Sequence, residues 1–260
     1  MILKDNITIP ALSGDVPRRL YIYLPPEYEE SPDFYPVLYM FDGHNVFFDE
    51  DATYGKSWGM ADYLEQENPA LIIVAVECNH EGNRRLCEYS PWSFHDKYFG
   101  KVDGVGKVYM DWLTEELKPW VDHEFRTRPE REFTSICGSS MGGLMTVYAL
   151  TAYNDIFSKG AALSPSLWCG PQKILNLIRH TAFHEDTILY MDYGSVEMGN
   201  HSSTRNTLKR VSNAFMDKGV HTCTRIVPGG EHCEACWEQQ IPIFMNCLEI
   251  RGRKNREDED

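Results

Sequence analysis

SICGSSMGGLMTVYAL, residues 135–150, crowds three glycines and two adjacent serines between an apolar run and an apolar helix. Glycine inside a strand or helix costs roughly 0.5–1 kcal/mol relative to alanine. The cluster therefore marks either a plain turn or a backbone that side chains would obstruct. Gly138-Ser139-Ser140-Met141-Gly142 reads as G-x-S-x-G, directly after a predicted strand at 133–137 and directly before a predicted helix at 141–153. That context is the signature of a nucleophile elbow, a tight, strained turn that projects a serine hydroxyl from the edge of a sheet. Small residues two before and two after the serine let strand and helix approach, and Gly143 extends that freedom. Ser140, not Ser139, has glycine at both positions. It also opens a helix, where free N–H groups favour developing negative charge.

The surrounding pattern supplies the sheet that such a turn needs. Residues 18–24 alternate, whereas 36–42 and 71–77 are nearly continuous apolar runs, as in strands buried on both faces. Helical spacing covers 58–66 and 105–124, with an aromatic-rich loop predicted at 78–101. Beyond the serine, strands at 159–164, 187–192 and 221–227 alternate with helices at 171–179, 204–217 and 234–248. This alternation predicts an α/β fold, a mainly parallel sheet with helices on both faces. Ligands of such sheets bind beyond the carboxyl ends of the strands.

The 260 residues carry a net charge of −14 and are 42% hydrophobic. An acidic surface argues against nucleic acid or anionic membrane as the main partner, and no run approaches the ~18 apolar residues of a membrane span. Eight scattered cysteines read as reduced thiols, and the N-terminus lacks a signal-peptide pattern, so a cytoplasmic location is expected. A single domain is expected over 1–250, with a charged tail at 251–260. A homo-oligomer is compatible with the sequence.

A serine hydroxyl needs a base, and the base needs an orienting group. In the order serine, acid, histidine, His232 is the best-placed base, in the loop after strand 221–227. His180, His184 and His221 fall at the opposite sheet edge, and His201 stays open. Asp192 and Glu197 compete as the acid. Glu197, beyond Gly194, is preferred because Asp192 still belongs to the strand. Oxyanion donors are expected from the N–H of Met141 and from that of Gly43 or His44, in the loop after strand 36–42. An Asx-type turn by Asp42 and Asn45 would aim those amides.

Taken together, RRLYIYLPPEY (18–28) with VLYMFDGHNVF (37–47), CNHEGNRRLCEYSPW (78–92), SICGSSMGG (135–143), and LYMDYGSVE (189–197) with PGGEHCEACW (228–237) resemble the putative esterase family of α/β hydrolases. That group includes esterase D-like enzymes, feruloyl and acetyl-xylan esterases, siderophore trilactone esterases and mycolyl transferases. The resemblance implies an α/β-hydrolase fold, here without a large lid domain, and a small-molecule ester substrate. It implies Ser140 as nucleophile, Glu197 as acid, through the G-x-x-D/E loop at Gly194, and His232 as base.

Arg85, Trp92 and Trp168 are expected near the site. Arg85 either pairs with Glu88 or holds an anionic substrate group, and the two tryptophans either wall a pocket or simply pack. His232, Cys233 and Cys236 resemble a fragment of a metal motif, but no second Cys pair completes it, so no metal and no cofactor is expected. Alternatives to ester hydrolysis are acyl transfer or thioester cleavage by the same triad, and an inactive binding module.

Overall fold

The computed structural model describes residues 1–197 and 202–250. Among the described residues ten strands form: β1 (Ile2–Ile9), β2 (Gly14–Tyr23), β3 (Val37–Phe41), β4 (Ile72–Val76), β5 (Phe94–Asp96), β6 (Gly100–Val102), β7 (Thr134–Ser139), β8 (Lys159–Leu163), β9 (Ile188–Gly194) and β10 (His221–Val227). The helices are α1 (Pro10–Ser13), α2 (Met60–Glu67), α3 (Arg84–Glu88), α4 (Gly106–Trp112), α5 (Lys118–Glu124), α6 (Met141–Ala152), α7 (Pro171–His180), α8 (Ser202–Met216), α9 (Glu234–Glu238) and α10 (Ile241–Cys247). Eight strands make one sheet in the order β1-β2-β4-β3-β7-β8-β9-β10. β2 runs antiparallel to β1 and β4, and every other neighbour is parallel.

Alternate residues of the central strands feed two cores. Val37, Tyr39, Phe41, Val74 and Val76 face the layer that includes Tyr109, Leu113, Leu144 and Val147, with Leu208 further along it. Leu38, Met40, Ile73 and Ala75 face Met60, Leu64, Ile241 and Phe244. Burial on both faces is why β3 and β4 read as unbroken apolar runs rather than alternating ones.

The sequence misses four features. β1 escapes notice because ILKDNITI lies largely exposed at the sheet edge, paired on one side with β2. The 78–101 segment is not a plain loop, for it holds α3 and the hairpin β5–β6. Helix 105–124 continues through a π-helical segment at Leu113–Leu117, next to Pro119, which has no N–H to donate back. Helix 234–248 divides into α9 and α10, the second carrying Pro242 in its first turn, where proline is tolerated. His201 and the 251–260 tail lie outside the described residues.

Candidate active site

Ser140 adopts φ 57° and ψ −117° between β7 and α6, a region that side-chain-bearing residues rarely occupy. The flanking glycines explain how the turn closes. A Cβ on Gly138 would stand 2.7 Å from the Gly142 carbonyl carbon, and one on Gly143 would stand 3.0 Å from Leu163 O. The strand, the helix and the end of β8 therefore approach closer than alanine allows. The Ser140 N–H donates to Leu163 O at 2.9 Å, and its carbonyl accepts from Ser166 N at 2.9 Å. The Ser140 hydroxyl has Ser166 Oγ, at 3.4 Å, as its hydrogen-bond neighbour.

The loops after β9 and β10 meet at two more glycines. A Cβ on Gly194 would fall 2.3 Å from Gly230 O. Ser195 N donates to Val227 O, and Val196 N to Gly230 O. This lacing brings Glu197 to His232, whose Nδ1 lies 2.9 Å from Glu197 Oε2. The other carboxylate oxygen accepts from Ser164 Oγ at 2.5 Å and from Gly194 N at 2.7 Å. Glu197 is 1% exposed, so these contacts replace its hydration. Trp237 donates its indole N–H to Ser164 Oγ at 3.0 Å and stands edge-on to the His232 ring.

Asp192, the competing acid, makes no contact with His232. It accepts from Tyr190 Oη at 2.9 Å and from Ser164 N at 3.1 Å. Burial pushes its carboxyl up to about 7, outweighing the hydrogen bonds from Tyr190 and Ser164 and the charge of Arg225.

After β3 the chain turns at Asp42, which is left-handed at φ 56° and ψ 48°. The turn is closed by backbone, Asn45 N donating to Asp42 O at 2.8 Å. This replaces the Asx turn predicted from sequence, because the Asp42 carboxylate is taken by Arg85 through Nε at 2.6 Å and Nη2 at 2.7 Å. Burial raises the Asp42 carboxyl, but the Arg85 charge and hydrogen bonds outweigh it and hold the group below the ordinary carboxylate range. Gly43 is required for a reason other than substrate access, since a Cβ there would sit 2.5 Å from Ala75 O of β4. Met141 opens α6, where a first-turn N–H has no partner within the helix.

The Arg85–Glu88 pair expected from sequence does not form. Glu88 instead holds Arg18 in a buried bidentate pair, both contacts at 2.9 Å. Trp92 packs edge-on against Tyr148 and is not among the residues lining the cleft. Trp168 does line it and is 44% exposed. Ser140, Met141, His44, Arg85, Glu197 and His232 all border one cleft of about 1040 Å³. Cys233 and Cys236 flank His232 as free thiols, with Glu231 N donating to Cys236 Sγ. Among the described residues, the one side-chain group spaced to hold a metal ion is elsewhere in the cleft, at His44, Cys78 and His80. Ser164, Ser166 and Trp237 are the site residues that sequence reasoning missed. For the two serines, the run Ser164-Pro165-Ser166 directly after β8 was the available signal, since it lies at the carboxyl end of a central strand.

The model of the family described as "Putative esterase" matches residues 13–243. The uncharacterized protein YbbA of Bacillus subtilis is 26% identical over 250 residues, covering 92% of this chain and 94% of that protein. Esterase Rv1288 of Mycobacterium tuberculosis is 29% identical over 180 residues, so the match spans 67% of this chain but 34% of that protein. A solved ferulic acid esterase superposes with a TM-score of 0.69 at 18% identity, covering 96% of this chain and 98% of that one. The fold is that of the α/β hydrolases. No helix among the described residues is long and apolar enough to cross a membrane.

Proposed function

The chain belongs to the putative esterase family, which supports ester hydrolysis, and from that premise we propose that it is a serine carboxylic-ester hydrolase working through an acyl-enzyme on Ser140. The observation that carries this reading is the strained Ser140 backbone in the same cleft as a buried Glu197 that holds His232 at 2.9 Å. His232 takes the Ser140 proton as the hydroxyl oxygen attacks the ester carbonyl. Glu197 holds Nδ1–H of His232, which leaves Nε2 as the basic nitrogen, and stabilises the imidazolium that forms. His232 then protonates the departing alcohol. A water, deprotonated by the same nitrogen, releases the acid. Hydrogen bonds in such sites commonly tighten only with substrate bound, in keeping with a Ser140 hydroxyl that rests on Ser166.

The amides of Met141 and of Gly43 or His44 stabilise the oxyanion, each donor being worth about 2.7–4 kcal/mol in comparable sites. Arg85 acts through Asp42, locking the left-handed turn that aims the second amide. The cleft is bordered by Tyr54, Tyr98, Phe99 and Trp168, all substantially exposed. This exposed aromatic rim suits an ester with a flat aromatic acyl group, as does the likeness to a ferulic acid esterase.

The test is hydrolysis of p-nitrophenyl esters and a methyl cinnamate-type ester by wild type and Ser140→Ala. Turnover that falls by at least about 10³-fold in the folded variant, with preference for the aromatic acyl group, is the expected result. Equal activity in the variant contradicts the nucleophile, and preference for short alkyl esters contradicts the aromatic acyl group.

A further inference from the structure

Beside the turn that follows β3 stands a set of side chains that ester chemistry does not use. One ring nitrogen of His44, one of His80 and the sulfur of Cys78 lie within 4.8 Å of one another. His44 and Cys78 are buried, whereas His80 is exposed. All three border the cleft that holds Ser140.

Each imidazole already has one nitrogen committed. Nε2 of His44 is 3.0 Å from Thr53 Oγ1, and Nε2 of His80 is 3.0 Å from Glu77 Oε1. Nδ1 of His44 is buried without a hydrogen-bond partner, although His44 is only 3% exposed. An orphaned buried nitrogen costs desolvation free energy that something must offset. Metal-bound histidines characteristically use their second nitrogen in this way, held by an oxygen that fixes tautomer and ring orientation. Glu77 is itself anchored, its other oxygen accepting from Arg19 N at 2.9 Å. The rings meet edge-on with centroids 4.5 Å apart.

We propose that His44, Cys78 and His80 form a binding site for a zinc ion, with its fourth coordination position open to the cleft. Two imidazoles and a thiolate are a donor set that a borderline-soft divalent cation favours. With Zn–N of about 2.0–2.1 Å and Zn–S of about 2.3 Å, tetrahedral donors stand roughly 3.4–3.6 Å apart. No edge of the triangle therefore has to close by more than about 1.4 Å. On binding, the Cys78 S–H bond breaks, its proton passes to solvent, and a Zn–S bond forms. Both imidazoles bind neutral through nitrogen lone pairs, and no electron is transferred. Because His44 belongs to the turn proposed to supply an oxyanion amide, occupation of the site slows ester hydrolysis, a consequence that rests on the serine-hydrolase reading.

Cobalt(II) is the probe, titrated into the full reduced chain, because tetrahedral Co²⁺ bound by thiolate gives visible d–d bands and a near-ultraviolet charge-transfer band. The expected result is one Co²⁺ per chain. The charge-transfer band disappears in Cys78→Ser, and affinity falls by at least about 10–100-fold in His80→Ala. A Cys233→Ser/Cys236→Ser variant keeps both. His80 is exposed, so His80→Ala stays informative even where Cys78→Ser misfolds. Absence of the band in wild type overturns the site. So does a band that survives His80→Ala and vanishes with Cys233 and Cys236. Zn²⁺ should inhibit p-nitrophenyl ester hydrolysis, and His80→Ala should weaken that inhibition by the same factor as it weakens Co²⁺ binding. Bound metal without inhibition overturns the coupling. The spectrum needs no turnover. A Cys78-dependent band on a protein that cleaves no ester therefore counts against the hydrolase reading alone.

Discussion

Two buried carboxyls near the end of β9, Asp192 and Glu197, have opposite surroundings. Glu197 is held by Ser164 Oγ, Gly194 N and His232, whereas Asp192 meets Tyr190 Oη and Ser164 N without a cation in hydrogen-bond contact. Glu197→Gln should therefore lower kcat by about 10³–10⁴-fold, the loss expected when the histidine is held in the wrong tautomer. Asp192→Asn keeps the shape and should stay within about tenfold of wild type. Steady-state kinetics of the two variants side by side decides the matter, and a crippled Asp192→Asn beside an active Glu197→Gln reverses the assignment. Asp192 also sets a pH dependence. Its carboxyl is raised from 3.8 to about 7 by burial, so the folded chain holds a proton that the unfolded chain has released. The resulting stabilisation is complete below about pH 3.8 and is lost as pH rises through about 7, a change on the order of 4 kcal/mol. Denaturant melts should show wild type losing stability over that window, while Asp192→Asn stays flatter and is the more stable of the two at about pH 8.

At the scale of elements, the site depends on contacts that only glycine permits. Gly138→Ala would put a methyl 2.7 Å from the Gly142 backbone and 2.9 Å from Phe41. Backbone cannot yield cheaply, so we expect a loss of about 1–3 kcal/mol and at least a tenfold fall in kcat/KM. Gly160→Ala is the control, since the atoms nearest its methyl belong to the side chains of Leu150 and Thr146, the closest at 3.3 Å. Urea melts and ester kinetics on the pair check this, and equal effects would contradict the account. The elbow and its flanking elements were legible in the sequence because strand, turn and helix are contiguous there. So were the placements of Glu197 and His232, because each follows its strand within one loop. Ser164 and Trp237 were not, for their hydrogen bond joins residues 73 apart in the chain. The Asp42–Arg85 and Arg18–Glu88 pairs were hidden for the same reason, and a local pairing of Arg85 with Glu88 stood in their place. β1 went unseen because an exposed edge strand carries little hydrophobic signal.

Across the whole molecule, the antiparallel end of the sheet is tied to the site by one buried ion pair. Arg18 on β2 and Glu88 on α3 are each 3% exposed at the side chain, and Glu88 Oε1 also accepts from Asn79 N at 2.7 Å. α3 carries Arg85, which locks Asp42, so the edge of the fold supports the turn beside the nucleophile. Arg18→Met leaves a buried carboxylate uncompensated and should cost about 3–5 kcal/mol. Arg18→Met/Glu88→Gln removes that charge while keeping an acceptor for Asn79, and should recover part of the loss. A double variant no more stable than Arg18→Met would show that the charge is not the cause.

All of this converges on one oxygen atom. A fluorophosphonate probe reacts only with an activated serine, and the account predicts a single adduct per chain, mapped by peptide mass to Ser140 and absent from Ser140→Ala. An adduct on another residue, or none on folded wild-type protein, would contradict it.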